Sequence, residues 1–324
     1  MGYARKSQIS LQETPYYHCV GRCVRRAWLW GYDTYAGKDY SHRKQWLIDR
    51  LAELSQLFAV DICAYAVMSN HYHLALYVDV VRAREWSERT VVRRWTQLFQ
   101  LPELVRRYLK EPVSNAERDA AKQIIETWRA RLMDVSWFMR CLNEYLARRA
   151  NAEDGCTGRF WEGRFKSQAL LDEAGLLTAM AYVDLNPIRA GIAATPEESE
   201  FTSIYERIRL MQGKRSSGPR LRSFHESKSK HEGLPYSLKD YLQLVDWTGR
   251  AIRVDKRGAI DSQLPPILKR LNIDKEAWTE TMRPRGNVFG RAMGKLTHLE
   301  IHARALGQTW IKGLRQAERL YRSA

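Results

Sequence analysis

Two short apolar segments joined by a polar turn constrain this chain more than any other feature. Residues 60–68 and 72–79 are rich in Val, Ile, Ala, Leu and Tyr, and Ser69 and Asn70 lie between them. Runs of this length and composition, bounded by a short polar turn, are typical of consecutive β-strands. The sequence therefore predicts two tightly joined strands that are buried in a sheet.

Two histidines, His71 just before the second segment and His73 within it, lie one residue apart. Side chains at a spacing of two share one face of a strand, so both imidazoles point the same way and Tyr72 points the other way. Neutral imidazoles that converge from one face supply two ligands of a divalent metal site. The alternative is a pair of partly buried histidines with ordinary hydrogen bonds.

A second motif, far downstream, contains Tyr182, Asn186 and Pro187. Residues 173–185 have helical composition, and Pro187 ends or kinks the helix. Tyr182 and Asn186 are four residues apart, so they lie on the same helix face. Taken alone, the pair is equally compatible with a buried Tyr above a helix-ending Asn. Combined with the histidines, it offers an oxygen ligand and a hydroxyl that can attack phosphorus.

These two motifs, together with residues 158–167 (Gly-Arg-Phe-Trp-Glu-Gly-Arg-Phe-Lys-Ser), resemble the HUH-class single-tyrosine transposases. The similarity is to the insertion-sequence-200-like family, and especially to its REP-associated branch. Residues 16–20 and 22–26 also resemble the first strand of that family, and the resemblance covers roughly residues 10–210. The position between the two histidines holds Tyr72, where the family usually has an aliphatic residue. Since this side chain points away from the histidines, we expect the chemistry to be unaffected.

The resemblance implies an enzyme that nicks and rejoins single-stranded DNA next to hairpins such as REP palindromes. Mg²⁺ or Mn²⁺ would be held by His71, His73 and the side-chain oxygen of Asn186. Tyr182 would attack the phosphorus, release a 3′-hydroxyl and form a covalent 5′-phosphotyrosine. Candidates for contacts with DNA phosphates are three basic residues near the motifs, Arg164, Lys166 and Arg189.

The composition agrees with a nucleic-acid partner. The chain has 53 Lys and Arg against 37 Asp and Glu, a formal net charge of +16. Such an excess favours polyanionic partners and makes their binding sensitive to salt. The 11 Trp and 16 Tyr residues offer flat faces on which unpaired bases stack. The sequence shows neither an apolar stretch of transmembrane length nor an opening signal peptide, so we expect a cytoplasmic protein without a membrane partner.

The order of the predicted elements indicates the fold class. A strand within residues 10–30 precedes an amphipathic helix at residues 41–58, the two joined strands and a helical insertion at about residues 80–150. Residues 164–171 form another strand, and the tyrosine helix follows. This order predicts an α+β fold with a ferredoxin-like antiparallel sheet and helices on one face, so that residues 1–211 form the catalytic domain.

The rest of the chain divides into a linker and a C-terminal region. Residues 212–232 are too polar to pack and predict a flexible basic linker. Residues 233–324 predict a helical accessory region. An alternative role for this region is to grip a DNA hairpin through a basic cluster, Arg283, Arg285, Arg291 and Lys295. We expect a monomer in preference to a dimer.

Two other functions compete with the transposase. One is a domesticated regulatory protein that binds nucleic acid without strand transfer, although the four motif residues are intact. The other is a metallohydrolase unrelated to DNA. Leu74, Ala75 and Leu76 follow His73, so the longer His-x-His-x-Asp-His pattern of such hydrolases does not form.

Overall fold

A central β-sheet with helices packed around it makes up the described part of the chain. The computed structural model describes residues 9–24, 31–33, 37–216, 218–225, 233–252, 265–283 and 290–321. The strands are β1 (Tyr16–Arg22), β2 (Tyr32–Asp33), β3 (Lys38–Asp39), β4 (Val60–Val67), β5 (His71–Val78), β6 (Lys166–Leu170) and β7 (Ala292–Met293). The helices are α1 (Arg43–Leu57), α2 (Val80–Glu85), α3 (Glu88–Trp95), α4 (Glu103–Lys110), α5 (Asn115–Leu132), α6 (Val135–Glu153), α7 (Glu173–Asp184), α8 (Asn186–Arg189), α9 (Ser203–Met211), α10 (Leu238–Ile252), α11 (Pro266–Arg270), α12 (Lys275–Met282), α13 (Leu296–Ala305) and α14 (Leu314–Leu320).

The main sheet has five strands in the order β4-β5-β1-β6-β7. β4, β5, β1 and β6 pair antiparallel, whereas β7 pairs parallel to β6. Along the chain, β1, α1, β4, β5, the helical insertion and β6 follow the β-α-β-β-α-β order of a ferredoxin-like unit. The predicted α+β fold is confirmed. The parallel edge strand β7 was not expected, because a strand of two residues has no detectable sequence pattern.

The two joined strands of the prediction are β4 and β5. Their paired residues run from Val60 opposite Val78 to Val67 opposite Tyr72. The turn is closed by the Met68 N–H, which donates to the His71 carbonyl oxygen at 2.9 Å. Both strands are almost entirely buried, as their apolar composition predicts.

Helices cover both faces of this sheet. On one face, the Tyr72 hydroxyl donates to Asn143 Oδ1 of α6 at 2.6 Å. Gly21 lies opposite Tyr72, and a Cβ there would come within 2.5 Å of the tyrosine ring. On the other face, His73 meets α7. The expectation of helices on one face therefore needs correction, because the chain continues past β6 into α7, which packs on the opposite face.

The helix that carries Tyr182 is defined by its ends. Asp172 caps α7 by accepting a hydrogen bond from the Gly175 N–H at 2.8 Å. After Leu185 the chain continues directly into α8, where Pro187 occupies the first turn, a position that tolerates proline. The predicted helix and its interruption by Pro187 are therefore both present.

The helical insertion contains α2 to α6. Ser114 and Glu117 form a reciprocal cap at the start of α5. The indole rings of Trp95 and Trp128 stack with centroids 5.4 Å apart, which joins α3 to α5. Among the described residues, no helix combines the length and the apolar character needed to cross a membrane.

The C-terminal region packs directly on the sheet and on α7. It contributes β7, and the Tyr241 hydroxyl of α10 donates to Asp184 Oδ2 at 2.5 Å. The hydroxyls of Thr178 and Tyr321 are hydrogen-bonded at 2.8 Å. The predicted helical accessory region is therefore in direct contact with the sheet and with α7. The domain boundaries themselves stay a prediction.

Part of the predicted linker lies along β4. The Arg222 N–H donates to the Ile62 carbonyl oxygen at 2.8 Å, and the guanidinium donates to Asp61 at 2.7 Å. The same guanidinium covers the Tyr77 ring at 3.6 Å. Residues 218–225 therefore differ from the predicted flexible linker, because one arginine joins them to β4. Residues 217 and 226–232, and Arg285 of the basic cluster, lie outside the described residues.

Candidate active site

His71 and His73 lie on the sheet face that α7 covers. Their ring centroids are 5.0 Å apart, and His73 is buried whereas His71 is partly exposed. His71 Nδ1 lies 2.7 Å from Asn70 Oδ1. With the Asn70 oxygen in this position, the contact requires a hydrogen on His71 Nδ1 and leaves a lone pair on its Nε2. The shared face is the one predicted from the spacing.

A third histidine, His18 of β1, joins this pair. Its Nε2 lies 2.9 Å from His73 Nδ1, and the two rings stack with centroids 5.2 Å apart. On its other side, His18 Nδ1 lies 2.6 Å from Gln168 Oε1 of β6. No sequence motif predicted a role at the site for His18 or Gln168. A polar side chain in an otherwise apolar strand was the available indication for His18.

Burial keeps all three imidazoles neutral near pH 7. It lowers the pKa of His18 and of His71 from the ordinary 6.5 to about 4, and the nearby Arg22 guanidinium adds to the lowering at His71. Burial also lowers the pKa of His73 well below its ordinary value, with further contributions from the two other histidines and from Arg189. Neutral imidazoles retain the lone pair that a metal ion requires.

Tyr182 projects from α7 toward the histidines. Its ring centroid is 5.8 Å from that of His73 and 6.2 Å from that of His18. The Arg189 guanidinium lies 4.0 Å above the tyrosine ring. Arg189 Nε donates to the Met282 carbonyl oxygen at 2.7 Å, so the arginine is tied to the C-terminal region. The structure thus brings the predicted nucleophile and the histidine pair together.

Asn186 is the first residue of α8 and is buried. Its Nδ2 has no hydrogen-bond partner among the described residues. The two ends of a carboxamide are interchangeable by a half-turn, so the same position can present the oxygen instead. A buried amide nitrogen without a partner marks a position that the oxygen can take up to bind a ligand.

Two neutral imidazoles and a carboxamide oxygen form a donor set that suits Mg²⁺ or Mn²⁺. Within the described ranges, no group of three or more His, Cys, Asp or Glu side chains is placed to hold a metal ion. The proposed set of His71, His73 and Asn186 is of a different kind, since its third ligand is an amide. The donor types of these three residues therefore suit a divalent metal ion.

Exposed basic side chains flank this face. Lys166 begins β6 and lies opposite Val20, which in turn lies opposite His73, so Lys166 and His73 share one face. Arg22 lies opposite His71 and was not predicted. Arg164 is exposed but precedes β6, so the expectation that it lies on the strand is wrong.

Two of three comparisons with known proteins found no match to this chain. No protein-family model matches the chain, and no curated protein matches it. Among solved structures, the chain is similar to one described as "Structure of the REP associates tyrosine transposase bound to a REP hairpin". The TM-score is 0.38 and the identity is 12%, over 71% of this chain and 98% of that chain. At these values the likeness supports no functional argument, and function has to be argued from the site itself.

Proposed function

We propose that this protein is a metal-dependent DNA transposase or endonuclease. It nicks and rejoins single-stranded DNA next to hairpins, and Tyr182 is the nucleophile that forms a covalent 5′-phosphotyrosine. The metal is Mg²⁺ or Mn²⁺, held by His71, His73 and Asn186, and the protein acts as a monomer. The hairpin specificity in this proposal rests on the family that the sequence motifs resemble.

One observation carries the proposal: the Tyr182 ring lies 5.8 Å from the His73 ring, although the two residues come from separate motifs far apart in the chain. A phenol beside two neutral, deprotonated imidazole nitrogens combines a nucleophile with metal ligands. Each motif has an ordinary structural explanation when taken alone. Their convergence on one face of the sheet is what a joint chemical role requires.

The charge of the chain supports a DNA substrate. The net charge of +16 attracts phosphate backbones, and the exposed Lys166 and Arg22 lie on the same sheet face as the histidines. Phosphate contacts from such residues position the strand without reading its sequence. Binding should therefore weaken steeply as salt increases.

The side chains have separate parts in the reaction. A divalent metal held by His71, His73 and Asn186 would supply Lewis-acid polarisation of a phosphate oxygen. Tyr182 Oη forms the new bond to phosphorus and loses its proton, while the bond from phosphorus to the 3′-oxygen breaks and that oxygen gains a proton. Arg189 lies over the tyrosine ring at 4.0 Å and limits its motion. Attack by another 3′-hydroxyl on the phosphotyrosine reverses these steps and rejoins DNA.

The test is a cleavage assay with Tyr182→Phe. Single-stranded oligonucleotides with imperfect palindromes from the DNA flanking the gene are incubated with protein and Mn²⁺, then separated on denaturing gels. We expect wild-type protein to give cleavage and a protein–DNA adduct that survives denaturation, and Tyr182→Phe to give neither. Tyr205→Phe is the matched control, because Tyr205 is also a partly exposed helix residue beneath an arginine, Arg209.

Metal dependence is tested in the same assay. A chelator, or the double substitution His71→Ala and His73→Ala, should abolish cleavage while hairpin binding is largely kept. Hairpin binding by the wild-type protein without cleavage on any of these substrates would contradict the proposal and favour the regulatory alternative. Cleavage by Tyr182→Phe without an adduct would indicate water as the nucleophile.

A further inference from the structure

A chain of hydrogen bonds connects the C-terminal region to His73. It runs from the Gly290 carbonyl oxygen through Gln168 and His18 to His73 Nδ1. Each of its three contacts is 2.6 to 2.9 Å long, so each must contain one hydrogen. The Gly290 carbonyl oxygen can only accept a hydrogen bond, and this fixes the direction of the other two hydrogen bonds.

The orientation of the Gln168 carboxamide follows from Gly290. A backbone carbonyl oxygen has no hydrogen to donate, so the atom of Gln168 that lies 2.6 Å from it must be the amino group. The reverse orientation would place two acceptor oxygens against each other. Gln168 Oε1 therefore faces His18, and it too can only accept.

The proton positions on His18 follow in turn. His18 Nδ1 lies 2.6 Å from Gln168 Oε1, so Nδ1 carries a hydrogen. A second hydrogen on Nε2 would make a buried imidazolium between a neutral amide and another imidazole, which is costly. His18 Nε2 is therefore an acceptor, and the hydrogen in the 2.9 Å contact belongs to His73 Nδ1.

We propose that Gln168 and His18 are positioning residues that hold His73 in the tautomer with hydrogen on Nδ1, which leaves the Nε2 lone pair for the metal. The hydrogen bonds define this tautomer whether or not a metal is bound. Only its use in catalysis rests on the proposed function. Hydrogen bonds from the second nitrogen of a ligating histidine commonly fix its tautomer and orientation. In this site, the partner of His73 Nδ1 is the imidazole of His18.

Through these hydrogen bonds, the C-terminal region also contributes to the candidate active site. Gly290 directly precedes the segment that adds β7 to the sheet, and its carbonyl oxygen sets the orientation of Gln168. A Cβ at Gly290 would collide with the Lys312 carbonyl oxygen, so glycine lets this segment approach closely.

The test measures the tautomer of His73 directly. Metal-free protein labelled with ¹⁵N-histidine is studied at pH 7.5 by long-range ¹H–¹⁵N correlation of the ring nitrogens, and the His73 signals are assigned by their loss in His73→Gln. We expect the Nδ1–H form in the wild-type protein and a shift toward the Nε2–H form in His18→Phe and in Gln168→Leu. His18→Gln should restore the wild-type form, because its amide oxygen accepts from His73. His42→Gln is the control that should change nothing.

Manganese binding, followed by electron paramagnetic resonance, separates the two proposals. His18→Phe should bind Mn²⁺ about tenfold to a hundredfold more weakly than the wild-type protein, and His18→Gln should recover most of the affinity. An Nε2–H tautomer in the wild-type protein, or an unchanged Nδ1–H tautomer in a folded His18→Phe, would overturn the positioning role. Absence of Mn²⁺ binding by a wild-type protein that has the expected tautomer would instead contradict the proposed metal site.

Discussion

Replacing Tyr241 with Phe should destabilise the whole protein, because the hydroxyl joins the C-terminal region to the tyrosine helix. The Tyr241 hydroxyl donates to Asp184 Oδ2 at 2.5 Å, and both residues are fully buried. Asp184 Oδ1 accepts from the Ile204 N–H at 2.9 Å and from the Ser203 hydroxyl. Tyr241→Phe removes one oxygen and leaves the rest of the packing in place.

The magnitude follows from the charge on the acceptor. Hydrogen bonds to charged groups contribute about 1.5–3 kcal/mol, so we expect the free energy of unfolding to fall by about 2 kcal/mol. That is roughly a thirtyfold change in the folding equilibrium constant. Burial already raises the pKa of Asp184, and loss of the donor should raise it further. Once Asp184 is protonated, its carboxyl is uncharged and gains less from the Tyr241 hydrogen bond. The destabilisation caused by Tyr241→Phe should therefore decrease as the pH falls through the raised pKa of Asp184.

The assay is urea denaturation of both proteins at several pH values between 8 and 4.5. Tyr236→Phe is the matched control, because its buried hydroxyl also joins the C-terminal region to α7 but donates to a neutral group, the Glu173 carbonyl oxygen. Tyr236→Phe should lower the free energy of unfolding by about 1 kcal/mol at every pH. A cost for Tyr241→Phe that equals the control, or that does not change with pH, would refute this explanation.

Two further predictions concern stability. Burial lowers the pKa of His18 to about 4 in the folded protein, against an ordinary 6.5. Because the unfolded chain binds this proton first, the free energy of unfolding should fall by roughly 3 kcal/mol as the pH drops from 6.5 toward 4, and should lose nothing from His18 above pH 6.5. Urea denaturation of His18→Gln across this range should therefore show a shallower pH dependence than the wild-type protein, and an equal slope would contradict it. In Gly175→Ala, the new Cβ would lie 2.6 Å from the Met293 carbonyl oxygen, and thermal unfolding should show a loss of about 1–3 kcal/mol despite the better helix propensity of Ala. Gly158→Ala, where a Cβ meets nothing within 4 Å, should be close to neutral, and equal losses for both would rule out the steric explanation.

Local spacing was sufficient to predict the histidine half of the candidate site. The alternation of a β-strand places His71 and His73 on one face whatever else the chain does. The period of a helix was the basis for relating Tyr182 to Asn186, but α7 ends at Asp184 and Asn186 begins α8, so their shared face stays a prediction. Both patterns depend only on backbone geometry over a few residues. The order of such segments was also enough to predict the α+β sheet.

Tertiary structure decided which residues complete the site. His18, Gln168 and Gly290 belong to β1, to β6 and to the segment before β7, and they meet because these strands become neighbours in the sheet. No local pattern relates them, since pairing between distant strands depends on how the whole chain packs. The packing of the C-terminal region on α7 was missed for the same reason: β7 has two residues, and its partner β6 is more than a hundred positions away in the sequence.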